Sequence, residues 1–472
     1  MRFSPVHALP FLLALAGCSA GPDYAPPSLP SQNGAFLRAA EADTAAPEAR
    51  WWEALGDPVL DGLIEQGLAD APAIAVAQAR LRQARAGLSA SRAALLPALS
   101  ASAMYVYADL PDDAFGTGAG NNEFYSLGFD AQWELDLWGG KRRSIERARA
   151  GEGQALAGLA DARVSLSAEI ARTYTQLRAR EANGSLLDQR HDVESTLVGF
   201  ARKRLESGAG TRQELSAALQ RMEQTEAEQA AVRSEIAALR DTLAVLTGRQ
   251  PGSLDTLAPA AIPLPPESVA VGDPAAMLAR RPDIIAAERR LAGATAGIGV
   301  EKSRRFPSIS LFGIIGIGGT SLDDLSDGDQ AASLALPRLS WRFLDFGQTA
   351  AAVRGAKAQR DMALAEYQAS VLGALQDAEA SLSRFGASRI AFARAVQSAR
   401  HAEEAAGLDE MRARAGTAAQ AEALQSRQQA INAQLAQASR RAGLTLSYIA
   451  LAKSLGLGWQ SAAGGPDAQA DQ

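Results

Sequence analysis

Apolar side chains at Leu60, Leu63, Ile64, Leu68, Ile74, Ala77 and Leu81 recur at three- and four-residue spacing, which predicts a helical segment from about Pro58 to Leu95 with one buried face. It stops at Leu96-Pro97, because a proline disfavours helical backbone in the residue before it. From Leu99 to Leu110 the pattern changes to alternation, and Phe124 to Trp138 alternates more clearly, with Tyr125, Leu127, Phe129, Ala131 and Trp133 on one face. Two strands are therefore expected, joined by a loop over Pro111 to Asn122, where Gly, Asp and Asn accumulate. Gly140 to Ser207 has no proline and is rich in Ala, Leu, Arg, Glu and Gln. It reads as one helix of about 100 Å at 1.5 Å per residue. Gly208-Ala209-Gly210-Thr211 breaks that helix, and Thr211 is placed to cap a return helix ending near Thr247-Gly248.

The same unit is then written again. Trp133 and Trp341 differ by 208 positions, as do Gly208 and Gly416, Leu243 and Leu451, and Gly248 and Gly456, while Leu96-Pro97 and Phe306-Pro307 differ by 210. The second copy is expected as a helix over Asp273 to Arg305, strands Ser308 to Ile317 and Ala332 to Phe346, a helix Gly347 to Ala415, a turn at Gly416-Thr417 and a helix to Leu455. The domain reading is residues 58–250 for the first repeat, 251–272 for a linker containing the proline-rich stretch Pro251 to Pro266, and 273–459 for the second repeat, with 460–472 as a tail. In each copy the two shorter helices together nearly match the long one, so two half-length helices stacked end to end would lie alongside it as a coiled-coil wall.

Four strands of about 10 to 15 residues are long enough to cross hydrocarbon when tilted. Four cannot close a barrel, since the smallest membrane barrels use eight, and open edges in lipid cost several kcal/mol per unsatisfied backbone group. The fold class expected is an α+β membrane protein in which copies of the chain share one barrel. A small soluble sheet packed on the helices is the competing reading; the apolar run Ile309, Leu311, Ile314, Ile315 and Ile317 argues against it.

Composition narrows the chemistry. Residues 1–17 carry Arg2 and an apolar stretch from Val6 to Leu15, a signal peptide too short to span a bilayer. Leu15-Ala16-Gly17-Cys18 resembles the bacterial lipobox, in which the cysteine becomes an acylated N-terminus; the competing reading is ordinary cleavage with an incidental thiol. Cys18 is the only cysteine, and Ser19 beside it, in place of an aspartate, implies sorting to the outer membrane in that class of signals. Two or more acyl chains make such anchoring slow to reverse, and residues 18–57 are read as the lipid-anchored segment. Three histidines, His7, His191 and His401, leave little material for a metal site or a serine-histidine triad. The net charge of -6 argues against a nucleic-acid partner. Gly313 to Gly319 lacks the capped helix that a nucleotide loop needs, so its glycines read as strand residues near a barrel rim. Trp133, Trp138 and Trp341 fall at strand ends, either at a lipid interface or packed beneath the barrel, and Asp136 and Asp345 beside them favour the second.

The run Cys18-Ser19-Ala20-Gly21-Pro22-Asp23-Tyr24-Ala25-Pro26-Pro27, followed by Trp51-Trp52 and Gly56-Asp57-Pro58-Val59-Leu60, resembles the outer-membrane efflux lipoproteins of the TolC type. Further matching runs are Trp133 to Gly139, Ala279 to Ile284, Ile298-Gly299-Val300, Phe306 to Leu311 and Leu455 to Trp459, in the family's order along nearly the whole mature chain. The resemblance implies a homotrimer whose twelve strands form one outer-membrane barrel continued by a helical tunnel into the periplasm. It implies a periplasmic adaptor and an inner-membrane transporter of the resistance-nodulation-division type as partners, and no cofactor; an enzyme is the least expected class because the sequence shows no catalytic constellation. The resemblance also implies that the two hairpin turns form the periplasmic mouth. An Arg-Tyr-x-x-Gly-like element followed by an acidic residue is matched by Arg204, Gly208 and Glu214 in the first turn and by Arg412, Gly416 and Glu422 in the second. The chain departs from that element at Leu205, Ala413 and Gln425, which puts an aromatic constriction and a double carboxylate ring in doubt. A carboxylate at either turn, triplicated by symmetry, would favour cations, with Arg412 or Arg414 available to pair with it, whereas the bland reading is a solvated helix face. A duct for protein secretion and a coiled-coil lipoprotein that spaces the envelope are the rival functions.

Overall fold

The computed structural model describes residues 19–28, 35–38, 47–110 and 120–459. The signal segment, Cys18, the tail 460–472 and most of the expected loop over 111–122 lie outside the described residues. The chain divides into two compact units, a sheet unit of residues 1–27, 80–156 and 286–368 and a helical unit of residues 28–79, 157–285 and 369–472.

The sheet unit is built on β1 (Ala98–Leu110), β2 (Gly120–Leu135), β3 (Ser308–Gly319) and β4 (Ala331–Ser340), all antiparallel in the order β1-β2-β3-β4. Register sets the faces, since side chains alternate with period two. Leu99, Ala101, Ala103 and Tyr105 stand opposite Ala131, Phe129, Leu127 and Tyr125, and these opposite Gly313, Ile315, Ile317 and Gly319, making one apolar face. The other face carries Ser100, Ser102, Asp130, Gln132 and the row Glu134, Ser310, Arg338. Ile314, grouped by sequence with its neighbours, falls on this second face, because it pairs with Asp130 and Leu334. Every residue of β4 is exposed, and the outer edges of β1 and β4 meet no strand among the described residues.

Two strands end earlier than the alternation suggests. At β2 the reason is Asp136, whose carboxylate accepts the backbone N–H groups of Lys141 and Arg142 at 2.9 Å each and so starts helix α3 (Gly140–Glu206) in place of a longer strand. At β4 it is Asp345, which accepts from Gly347 (3.0 Å) and Thr349 (2.8 Å) ahead of α7 (Gln348–Arg414), while Phe346 adopts a left-handed φ of 49° that no strand contains. Residues 341–346 are therefore a connection, with Phe343, Leu344 and Phe346 exposed. The indole of Trp133 donates to Leu95 O (2.7 Å) and that of Trp341 to Arg305 O (3.2 Å), the same bond in each repeat.

The expected helix from Pro58 to Leu95 is two helices, α1 (Pro58–Asp70) and α2 (Pro72–Ala93). Pro72 drives Ala71 to an extended ψ of 132° and removes a donor, ending the first helix. The second repeat does the same at Arg281-Pro282, between α5 (Pro274–Arg280) and α6 (Pro282–Ser303), with Arg281 at ψ 122°. Asp57 and Asp273 cap α1 and α5. The return helices α4 (Arg212–Leu246) and α8 (Gln420–Ser454) run back to these breaks. A Cβ on Gly248, just past α4, would stand 2.7 Å from Asp70 O, and past α8 the Arg280 and Arg281 side chains donate to Leu455 O (2.9 Å) and Ser454 O (2.7 Å). In both repeats the return helix thus ends, at a glycine stop, beside the proline break.

The core of the helical unit buries Leu60, Ile64, Ile170, Tyr174 and Leu243, each contributing about 1.5–3 kcal/mol by removal from water. Trp51 packs edge-on against Trp52 and Tyr448, with ring centroids 5.9 Å apart in both pairs, and the Tyr448 hydroxyl donates to Trp51 O at 3.0 Å. The linker is tied to the helices by side-chain bonds to its backbone. Buried Arg178 donates to Ala258 O (2.7 Å) and pairs with Glu181, and the Thr445 hydroxyl donates to Pro263 O (2.6 Å).

Candidate functional site

Both hairpin turns lie in the helical unit and share a left-handed glycine and a closing bond to the arginine carbonyl. Gly208 and Gly416 take left-handed φ values of 74° and 72°, where a Cβ would be strained. The Arg204 carbonyl accepts from Ala209 and Gly210 N–H, both at 2.9 Å, and the Arg412 carbonyl accepts from Thr417 N–H at 2.9 Å. The arginine thus contributes its backbone to closing each turn and leaves its guanidinium exposed.

The side chains of the two turns differ. In the first, Thr211 and Glu214 form a reciprocal capping box, with Glu214 N–H donating to Thr211 Oγ1 (3.2 Å) and Thr211 N–H to Glu214 Oε2 (3.4 Å). Arg204 lies 3.9 Å from the same carboxylate, so the structure brings Arg204 and Glu214 together. In the second, the position equivalent to Thr211 is Ala419, which supplies no side-chain cap. The Glu422 carboxylate makes no hydrogen bond or ion pair with any described residue and is exposed. Arg412 and Arg414 do not reach it. They pair within their own helix, Arg412 with Asp409 at 3.6 Å and Arg414 with Glu410, because those carboxylates lie three and four residues back along the same face. The repeat therefore yields one carboxylate committed to folding the turn and one left available.

Behind the turns the structure adds a cluster that the sequence reading missed. Glu194 on α3 is 3% exposed and accepts from Thr225 Oγ1 on α4 (2.5 Å) and from Gln428 Nε2 on α8 (2.8 Å), while Arg190 donates to Thr225 Oγ1 at 3.1 Å and pairs with Glu228. One buried carboxylate thus joins both helices of the first hairpin to the return helix of the second. The only signal for it in sequence is phase, since Glu194 falls on the stripe of Leu187, Leu197 and Val198. Arg427, next to Gln428, reaches Glu403 (2.6 Å) and Gln189 (3.3 Å), repeating the link at the surface.

No helix among the described residues is long and apolar enough to cross a membrane. The sheet unit has strands of 10 to 16 residues that carry exposed apolar side chains.

Comparison with known proteins agrees with this architecture. The chain is 31% identical over 317 residues to the fusaric acid resistance protein FusA of Burkholderia cepacia, a match covering 64% of this chain and 59% of that protein. It is 29% identical over 475 residues to the probable efflux pump outer membrane protein TtgC of Pseudomonas putida, covering 97% of this chain and 96% of the relative. Among solved structures, the outer-membrane channel OprN superposes with a TM-score of 0.86 at 32% identity, covering 94% of this chain and all of that one. The fold is that of these channels, a strand-built barrel with a helical tunnel. The sequence profile of the outer membrane efflux proteins matches residues 63–249 and 274–457, one stretch for each repeat. With both repeats matched over most of its length, the chain belongs to the outer membrane efflux protein family.

Proposed function

We propose that this chain is the outer-membrane subunit of a tripartite efflux system, a passive duct for small molecules delivered by a periplasmic adaptor and an inner-membrane transporter of the resistance-nodulation-division type. The observation that carries the reading is a four-stranded sheet with an apolar face and two edges that meet no strand among the described residues, in a chain of this family. Lipid satisfies the apolar face, but only another sheet satisfies an edge. Three copies supply twelve strands, an even number within the range of membrane barrels. Residues 1–17 are the signal removed at Cys18, which carries the lipid anchor, and residues 58–250 and 273–459 are the repeats joined by the linker 251–272. The fully exposed β4 and the apolar connection after it are the surface that a neighbouring copy or lipid covers in this arrangement. The names of FusA and TtgC, resistance and efflux, support small molecules over proteins as cargo.

The turns are the periplasmic mouth in this reading, and Glu422 is its selectivity residue. Three copies bring three unpaired carboxylates round one axis, which attracts cations and repels anions. Glu214 contributes less, because the capping box and Arg204 occupy it. Extraction from outer membranes in mild detergent tests the assembly: the expected species is a trimer, with a Cys18→Ala form losing its acyl mass, and a monomer would remove the channel reading.

A further inference from the structure

We propose that residues 19–24, the first beyond Cys18, fill a dedicated slot at the strand–helix junctions of the sheet unit, and that this docking holds the lipid anchor at the strand ends while bracing those junctions. The anchoring half rests on the reading of Cys18 as the lipidated residue; the slot itself rests on geometry alone.

The segment is held by features that have no other evident purpose. Ala20 N–H donates to Trp138 O at 2.9 Å, as if adding one bond to the end of β2. Arg143, in the first turn of α3 and only 4% exposed, donates to Ala20 O (3.2 Å) and Asp23 Oδ1 (2.6 Å) and pairs with Glu146 at 2.7 Å. A guanidinium buried to this extent needs its donors matched, and the segment supplies two of the three acceptors. Tyr24 donates through its hydroxyl to Glu288 on α6.

Three glycines make the room. A Cβ on Gly299 of α6 would stand 2.5 Å from Ala20 O and 2.6 Å from Arg143 Cγ, so any side chain there displaces the segment. Gly21 takes a φ of 106°, and its own Cβ would stand 2.5 Å from Gly299 Cα. Gly139, at φ 76°, would place a Cβ 2.9 Å from Ser19 Oγ. Backbone therefore lies on backbone at the crossing of 21 and 299, an approach that only a pair of glycines permits. Beside it Trp138 donates to Pro307 O (2.7 Å) and stacks on Phe306 with centroids 4.6 Å apart, linking the exit of β2 to the entry of β3.

Two consequences follow. Ser19 lies beside Gly139 at the strand ends, so a lipid carried on the preceding residue is tethered there by a single peptide unit, about 3.8 Å of chain. A free segment of ten residues would instead give about 35 Å of slack. The same clasp joins the first turn of α3 to α6, so the peptide ties the helix that follows β2 to the helix that precedes β3. Because the segment is part of the chain, its local concentration is high and a few bonds suffice to keep it docked.

Hydrogen exchange on the full chain in mild detergent, with the intact mass of each variant, tests this. In the natural sequence the peptide over 19–27 is expected to be protected. Gly299→Leu should speed its exchange by about tenfold or more and also loosen peptides over 136–146 and 299–306, leaving the helical unit unchanged. Arg143→Gln, which shortens the side chain and removes the guanidinium but stays polar, should give the same pattern more weakly and serves if the leucine form does not fold. An acylated Cys18 above a freely exchanging segment in the natural sequence would overturn the slot alone. An unmodified Cys18 above a protected segment would overturn the anchor reading and leave the slot supported. Eviction of the segment with no change at the junctions would overturn the bracing.

Discussion

Thr211 and Ala419 occupy equivalent positions, and the hydroxyl that separates them decides what the carboxylate three residues later can do. Glu214 is held by its capping box, whereas Glu422 is uncommitted. Glu422→Ala is therefore expected to lower cation-over-anion permeability in reconstituted channels, and Glu214→Ala to change it much less. Ala419→Thr should rebuild the box, stabilise the hairpin by about 1 kcal/mol and reduce selectivity without removing any charge. Unchanged ion selectivity after loss of both carboxylates would sink the role given to the turns. A second residue-scale expectation concerns alkali. Burial, and secondarily Glu48, pushes the Tyr448 hydroxyl up from 10.0 to about 12. The folded chain holds that proton longer than the unfolded one, so the contribution is complete below pH 10.0 and falls as pH rises towards about 12. Tyr448→Phe should flatten the loss of thermal midpoint across that window and cost about 1 kcal/mol at neutral pH through the lost bond to Trp51 O. At this scale much was legible. Gly208, Gly416 and the Thr211 cap follow from backbone sterics and from a Thr-x-x-Glu spacing, both local. Glu194 was not, because a buried carboxylate announces itself only through partners distant in sequence.

Helices and strands show where local signals suffice and where they mislead. Period and composition placed both long helices to within about a residue, since nothing in 140–206 or 348–414 interrupts them. The break at Ala71-Pro72 was missed because apolar spacing continues across it, even though the proline is plain in sequence; Arg281-Pro282 is its counterpart in the second repeat. Strand ends were overrun at Trp138 and Phe346 for a related reason. Alternating aromatics continue past the point where Asp136 and Asp345 capture the next helix. Which face each strand residue takes depends on partners in register, so Ile314 could not be assigned from its own run. The polar hub is the element-scale feature with the clearest cost. Glu194→Ala leaves Thr225 and Gln428 without their acceptor and should destabilise the protein by about 2–3 kcal/mol, seen as a lowered thermal midpoint. Glu194→Gln, which retains an acceptor of the same length, should cost less. Equal midpoints for all three forms would mean that the hub is not a structural tie.

For the whole molecule, the decisive feature is a deficiency of the single chain. Among the described residues its sheet stops at two open edges, and its central strands carry exposed apolar side chains such as Leu127, Phe129 and Ile315. The four strands expected from the sequence are the four observed, and strands of spanning length that number too few to close a barrel are what motivates the proposed assembly. The sequence repeat gave the doubled helix–strand–strand–helix plan, and family membership turns that plan into a channel. Conductance of the purified full chain in a planar lipid bilayer tests this most directly. Discrete, long-lived current steps that favour cations, given by the trimeric species, are the expected result. A chain that inserts and assembles but leaves the bilayer insulating would contradict the duct and make the protein a coiled-coil spacer of the envelope.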